Sequence, residues 1–461
     1  MAAMQLKTAS LIVVVLSVAW PSQALTRHYY IAAEEQLWDY APSGVDLVES
    51  RSIPSTWAKR TKFPKVRYIE YTDDTFTKPK PQPEWLGILG PIIRAEVGDT
   101  VIVDFLNRSQ RPAGIHPHGL RYDKENEGSF YLPSTRGGLV PPNARYTYRW
   151  FADAGSGPGS GQLSSMVWWY HSHANSSSDI NAGLMGPIIV TAKGNARPDG
   201  SPRDVDREFV AAFVIFDELG GKDAGMFHAI NGFIYGNLPG LVMKSGEKVR
   251  WYVMALGNEK DLHTPHWHGK TLSDGATHVD TVNLLPGSTM TLDMLADNPG
   301  VWMFHCHVGD HMEAGMMATY TIYSADTRSC PLQFTSAEFW GGTKKSSVTV
   351  KNASGKRIKN YTLTFEHFLA PQYLHHPFQS TWGGTGPILP NGEQILERDS
   401  NVATDDRIQG WALFPSRIEF DDGSAWLPQH HGECFRVFWR DPGHADLKVL
   451  PPPITNIQTP E

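Results

Sequence analysis

The segment "FHCHVGDHMEAGM", Phe304 to Met316, holds three histidines, one cysteine and two methionines. A thiolate, two imidazoles and a weak thioether together make a blue-copper electron-transfer site. Cys306, His311 and Met316 supply three of those donors from one stretch. His263, three residues before another histidine pair, is the natural source of the fourth. A structural zinc site would instead show paired cysteines.

Cys306 lies between His305 and His307. Successive side chains on a strand alternate between faces, so the cysteine points one way and the two imidazoles the other. The same His-x-His spacing recurs at His116/His118, His171/His173 and His266/His268. One such pair is weak, because core and surface histidines are commoner than ligands. Four pairs in repeat-related positions point to a shared cluster. Eight imidazoles suit three copper ions, which with the blue site could deliver four electrons to dioxygen. On this reading Cys306, His305 and His307 form the catalytic core, joining an electron-accepting site to an oxygen-reducing one.

These residues must be positioned by a repeated element. "GDTVIVDFLN", "IHPHGL" and "WYHSHANSSSDINAGLMGPIIV" are followed in the second half by "GEKVRWYVMALGN", "LHTPHWHGK" and "MFHCHVGDHMEAGMMATYTIY". Each copy fits one β-sandwich. The first copy lacks its own blue site. Ser172 replaces Cys306, Ala113 replaces His263, Ser177 falls where His311 would be, and Leu184 aligns with Met316. Each copy therefore brings half a cluster, which must form at an interface between domains. Residues 25–194 make the first domain and 205–324 the second, with a polar linker between them. Residues 325–461 show no third copy and read as a smaller carboxy-terminal β domain.

Composition agrees with an all-β chain. Of 461 residues, 41% are hydrophobic and 19% charged, the balance of a globular protein. Glycine and proline are plentiful, and long helical periodicities are scarce. The net charge of −7 leaves no basic field to hold nucleic acid. Lys7, a short apolar run, and Ser22 and Ala24 at small-residue positions read as a secretory signal peptide over residues 1–24, cut near Ala24. The run is shorter than a membrane span, and no later segment approaches the ~20 apolar residues that a span requires. The expected protein is secreted, with no membrane span. With Cys306 assigned, Cys330 and Cys434 remain as a candidate disulfide, the alternative being two free buried thiols. Four Asn-x-Ser/Thr sequons begin at Asn107, Asn175, Asn352 and Asn360.

At "RHYYIAAEEQLWDY", "YTDDTFTKPKPQPEWLGILGPIIRAEVGD", "HPHGLRYDKENEG", "HAINGFIYGNLPGL" and "GNEKDLHTPHWHG" the chain resembles a multicopper oxidase of the ceruloplasmin/hephaestin and clotting-factor A-domain branch. The resemblance runs from about His28 to Tyr323. It implies two cupredoxin-like Greek-key β-sandwiches, with four copper ions per functional site. It also implies a homotrimer in which the three-copper cluster lies between subunits. The family's iron-oxidising members imply a ferrous-iron site here at Asp310, His228 and Asp223, the last a shorter carboxylate than the family's glutamate. The expected function is a ferroxidase with dioxygen as acceptor. A laccase-like oxidase of phenols or amines is the alternative. A copper nitrite reductase would not need a histidine on both sides of the cysteine, and a non-enzymatic scaffold would be expected to lose ligands that this chain keeps.

Overall fold

A computed structural model describes residues 24–449 except 50, 133–135, 221–224, 258–259, 324–329, 339–344, 370–378, 400–407, 428–433, 435 and 441–446. The expected signal peptide falls almost wholly outside the described residues.

Alternation builds the first sandwich. In strand Thr100–Asn107, Val101, Val103 and Phe105 are fully buried, while the residues between them face outward. One sheet runs in the order Lys62–Tyr71, Thr26–Asp39, Thr100–Asn107, Arg145–Phe151. The other runs Ile93–Glu96, Met185–Thr191, Ser165–His171, His116–Pro117. Their inner faces share one core that includes Val103, Phe105, Ile188 and Val190.

The second sandwich repeats this order. Met226–Ile230, Arg207–Asp217, Lys248–Ala255 and Thr289–Leu295 form one sheet, extended by Leu272–Ser273 and His278–Val279. Val242–Lys244, Met317–Tyr323, Gly300–Cys306 and Pro265–Trp267 form the other. Even the strand directions repeat: Thr26–Asp39 pairs in parallel with Thr100–Asn107, as Arg207–Asp217 does with Lys248–Ala255. The weak sequence repeat is thus a full repeat of topology. Arg250, fully buried, joins the two halves. It makes two hydrogen bonds to Asp293, at 2.7 and 2.9 Å, and donates to the hydroxyls of Ser164 and Ser165. Lys248 also meets Asp293 and Asp204 also meets Arg250, so truncating either charged partner would leave the other buried with only part of its pairing.

The carboxy-terminal region forms two more sheets. One is Leu332–Glu338, Lys345–Asn352, Glu393–Asp399. The other is Gln379–Ile388, Ile358–Leu369, Ile408–Phe420, Arg436–Arg440, Leu447–Val449, with Ala425–Trp426 beside Ile408–Phe420. Val348, Leu363, Leu413 and Ile418 lie in their common core. Cys330 and Cys434 are joined by a disulfide across 104 positions of sequence.

This region shares one device with the first sandwich that its sequence does not advertise. Asn107 is fully buried, and its amide donates to the carbonyls of Arg111 and Val140, both at 2.8 Å. Its side-chain oxygen accepts from Ser109. Asn352 repeats the pattern with Lys356, Ile388 and Ser354. In each case an asparagine at positive φ, Asn143 or Asn391, closes the corner by donating to the first asparagine's carbonyl. Two of the four sequons are therefore structural corners with their amide nitrogens already engaged. Asn352→Ala should strand the buried Ile388 carbonyl, remove one donor from that of Lys356, and lower stability by about 1–3 kcal/mol. Denaturant unfolding should show an earlier midpoint, and an unmoved midpoint would contradict the role assigned to this corner.

Candidate metal centres

Strand Gly300–Cys306 ends at the candidate thiolate site, and the short helix Gly309–Glu313 follows it. The helix returns His311 to the sulfur. Cys306 Sγ lies 3.7 Å from His311 Nδ1 and 3.8 Å from His263 Nδ1, with the Thr264 backbone N–H donating to it at 3.4 Å. Cys306 and His263 are fully buried and His311 is 6% exposed. Met316 is also buried, and its carbonyl accepts from the Cys306 N–H at 3.0 Å.

Burial alone would raise the Cys306 pKa. Hydrogen bonds from His263, His311 and two backbone amides outweigh it and hold the thiol down to about 6. For His263 burial pulls the pKa down, but Asp261 and Cys306 raise it above the ordinary value. One thiolate-prone sulfur and two imidazole nitrogens, all within 4.8 Å of one another and out of water, are a donor set that a soft cation would satisfy.

On the other face of the strand, His305 joins a quartet with His266, His268 and His307. The ring centroids of neighbours lie 4.9–5.5 Å apart. His305 Nδ1 bonds the Cys306 carbonyl at 2.8 Å, which turns its Nε2 toward His268 Nε2 at 3.0 Å. The first sandwich builds the same object from His116, His118, His171 and His173. His171 Nδ1 bonds the Ser172 carbonyl at 2.9 Å, and its Nε2 meets His118 Nε2 at 3.1 Å. His116 and His266 are each oriented by a backbone carbonyl, of Glu127 and Asp280 respectively. Burial, then neighbouring imidazoles, push His118 and His305 to about 4, and burial likewise holds His171 at about 3. The rings are thereby neutral, the form in which imidazole binds metal. Ring contacts run within each quartet and not between them.

In the first sandwich the thiolate position is filled differently, and one expectation is corrected. Ser172 does stand for Cys306: its N–H bonds the Leu184 carbonyl at 3.0 Å, as that of Cys306 bonds Met316. The place of His311, however, is taken by Asp179 rather than Ser177. Leu184 N–H donates to Asp179 as Met316 N–H donates to His311, both at 3.0 Å. Helix Ser176–Ala182 is 7 residues long where Gly309–Glu313 is 5, so counting from the cysteine position lands two residues short. Ser172 donates to the buried Asp179 carboxylate at 2.7 Å, a hydrogen bond where the second sandwich has a sulfur and an imidazole.

A cavity of about 580 Å³ opens beside His311, lined by Trp57, His228, Lys260, Asp310 and Glu313 among others. The His228 ring lies 4.8 Å from that of His311, and its buried Nδ1 has no hydrogen-bond partner. Burial, with His311, lowers its pKa to about 4 against the opposing pull of Asp310. Asp223 lies outside the described residues. Glu313 was missed in the sequence, although its spacing of three from Asp310 puts both carboxylates on one side of a helix.

Residues 86–195 and 216–326 each match a family model described as multicopper oxidase. The ferroxidase HEPHL1 of Mus musculus is 36% identical over 340 residues, 65% of this chain and 29% of that protein. Ceruloplasmin of Rattus norvegicus is 36% identical over 361 residues, 69% of this chain and 34% of that one. Coagulation factor V of Homo sapiens is 40% identical over 335 residues, 66% of this chain and 15% of that one. The chain spans about a third or less of the length of these relatives. The blue copper oxidase from Nitrosomonas europaea, a solved structure, is similar at a TM-score of 0.47 and 21% identity, over 64% of this chain and 86% of that one. The two sandwiches belong to the multicopper oxidase family. Within it they are of the ceruloplasmin/hephaestin-like kind. Copper is the family's metal, and the buried sulfur and imidazole donors fit it.

The copper-free chain offers a direct check on the thiolate site. A depressed thiol pKa stabilises the fold above the ordinary value of 9.0, and that stabilisation fades as pH falls through about 6. The ultraviolet thiolate absorbance that distinguishes this chain from Cys306→Ser should titrate near 6. A midpoint near 9 would show that the imidazoles do not face the sulfur.

Proposed function

We propose that this protein is a multicopper oxidase that takes single electrons from ferrous iron and reduces dioxygen to water. The observation that carries this reading is the strand end where Cys306 faces two buried imidazole nitrogens, while His305 on the opposite face joins a histidine quartet. Copper would supply one-electron acceptance at His263, Cys306, His311 and Met316, and dioxygen reduction by three further ions shared among His116, His118, His171, His173, His266, His268, His305 and His307.

The chain's own contribution is positional and electrostatic. Carbonyl hydrogen bonds fix the orientations of His171 and His305 in the two quartets, and burial keeps those two rings unprotonated. Ferrous iron suits imidazole nitrogen with carboxylate oxygen. His228 presents an unpartnered nitrogen, and Asp310 and Glu313 line the same cavity. Asp223 is the further carboxylate proposed for this substrate. Carboxylates stabilise the ferric product more than the ferrous ion, which makes bound iron the better reductant. Asp310 immediately precedes His311, so iron held there lies beside a thiolate-site ligand. Trp57 on the cavity wall favours a second, laccase-like reading in which a phenol or amine is the reductant.

Each quartet is complete within its own sandwich, and the imidazole contacts do not join them. A three-copper cluster therefore needs the opposite quartet of a second copy, and closure of that head-to-tail contact as a homotrimer fits this reading. Mixing His118→Ala and His307→Ala chains should restore some oxygen consumption, and full activity from a monomer would overturn the arrangement. The apolar run after Lys7 supports export. Among the described residues no helix is long and apolar enough to cross a membrane.

Asp310→Ala and His228→Ala should each lower iron oxidation by at least tenfold, about 1.4 kcal/mol in transition-state stabilisation. Oxidation of an uncharged phenol should change much less. Equal losses for both substrates would mean that these residues support the thiolate site, and no loss for iron would favour the phenol reading.

A further inference from the structure

Beside the thiolate site lies a carboxylate that the proposed chemistry does not use. Asp261 is fully buried. Its Oδ1 accepts the Ile215 backbone N–H at 2.8 Å and lies 3.3 Å from His263 Nε2. The other ring nitrogen of His263, Nδ1, is the one that faces Cys306. A glycine makes room for this carboxylate. Gly257 has φ +144°, and a Cβ there would come 2.1 Å from Asp261 Oδ2.

The first sandwich serves as an internal control. Ala113 pairs with Val140 as His263 pairs with Leu284, so Ala113 holds the place of His263. Two residues before Ala113 stands Arg111, its side chain 38% exposed and 3.7 Å from Asp179. The sandwich without the histidine is also without the aspartate. His311 makes a different arrangement from His263: it turns toward His228 and the cavity.

We infer that Asp261 is a positioning residue for His263, fixing the ring with Nδ1 toward Cys306 and lowering the reduction potential of copper held there. A carboxylate on the far nitrogen of a metal-bound imidazole locks its tautomer and raises its donor strength. Negative charge so close also favours the more highly charged oxidised metal. The carboxylate hangs on the strand that carries Ile215, which pairs in register with His228, so the ligand and the substrate wall share one support.

The inference rests on the reading that His263, Cys306 and His311 hold copper, and the test separates the two. Wild-type and Asp261→Asn chains are loaded with copper, and the thiolate-to-copper absorption is followed against applied potential. Asparagine keeps a hydrogen-bond acceptor and loses only the charge. The variant should stay blue and its potential should rise, by tenfold or more in the oxidised-to-reduced equilibrium, about 59 mV. A blue variant with unchanged potential would overturn the inference and leave the copper reading standing, whereas a wild-type chain with no blue band would remove both. If the variant takes no copper, proton NMR of the wild-type copper(I) protein decides. An exchange-protected His263 Nε2–H is expected, and a freely exchanging one would overturn the role of Asp261.

Discussion

Successive side chains of a β-strand point to opposite faces, and at His305, Cys306 and His307 that rule governs everything around it. The sulfur must enter the core of the sandwich, where His263 and His311 meet it. The imidazoles must leave on the other side, where His266 and His268 wait. One covalent segment therefore belongs to two sites of different chemistry. Neither site could shift by a single residue without destroying the other, because a slip of one position exchanges the two faces.

The first sandwich shows what the same frame does without the thiolate. It keeps the quartet, down to the carbonyl bond that aims the buried ring and the close pair of Nε2 atoms. Where the sulfur and its imidazole would be, Ser172 and Asp179 make an ordinary hydrogen bond. The two sandwiches are thus unequal by side chain rather than by backbone. One offers imidazoles alone, and the other offers imidazoles and a buried thiolate site.

Much of this was legible in the sequence because metal chemistry restricts both residue type and spacing. The four His-x-His pairs, the placement of Cys306 between two histidines and the choice of His263 all rest on local rules. What was hidden depends on distance in space or on helix length. Asp179 replaces His311 across a helix two residues longer, which no count from Ser172 reveals. Asp261 precedes His263 by two, a spacing that would put both side chains on one face of a strand, but these residues lie outside the strands and nothing in the sequence shows the carboxylate meeting the far ring nitrogen. Glu313 stood in plain view beside Asp310 but lacked a partner to give it meaning. The buried corners at Asn107 and Asn352 read in the sequence as glycosylation signals, since the carbonyls that engage their amides include ones 33 and 36 positions away.

On the proposed function, one thiolate site and two half-clusters would together make a four-copper oxidase. Native mass spectrometry of the copper-loaded protein, taken with its electron paramagnetic resonance spectrum, tests this most directly. Assemblies of three chains with four coppers per chain are expected, one of the four carrying the narrow hyperfine pattern of a thiolate-bound site. A stable chain that binds only that one copper, or one that fills the quartets as a monomer, would contradict it.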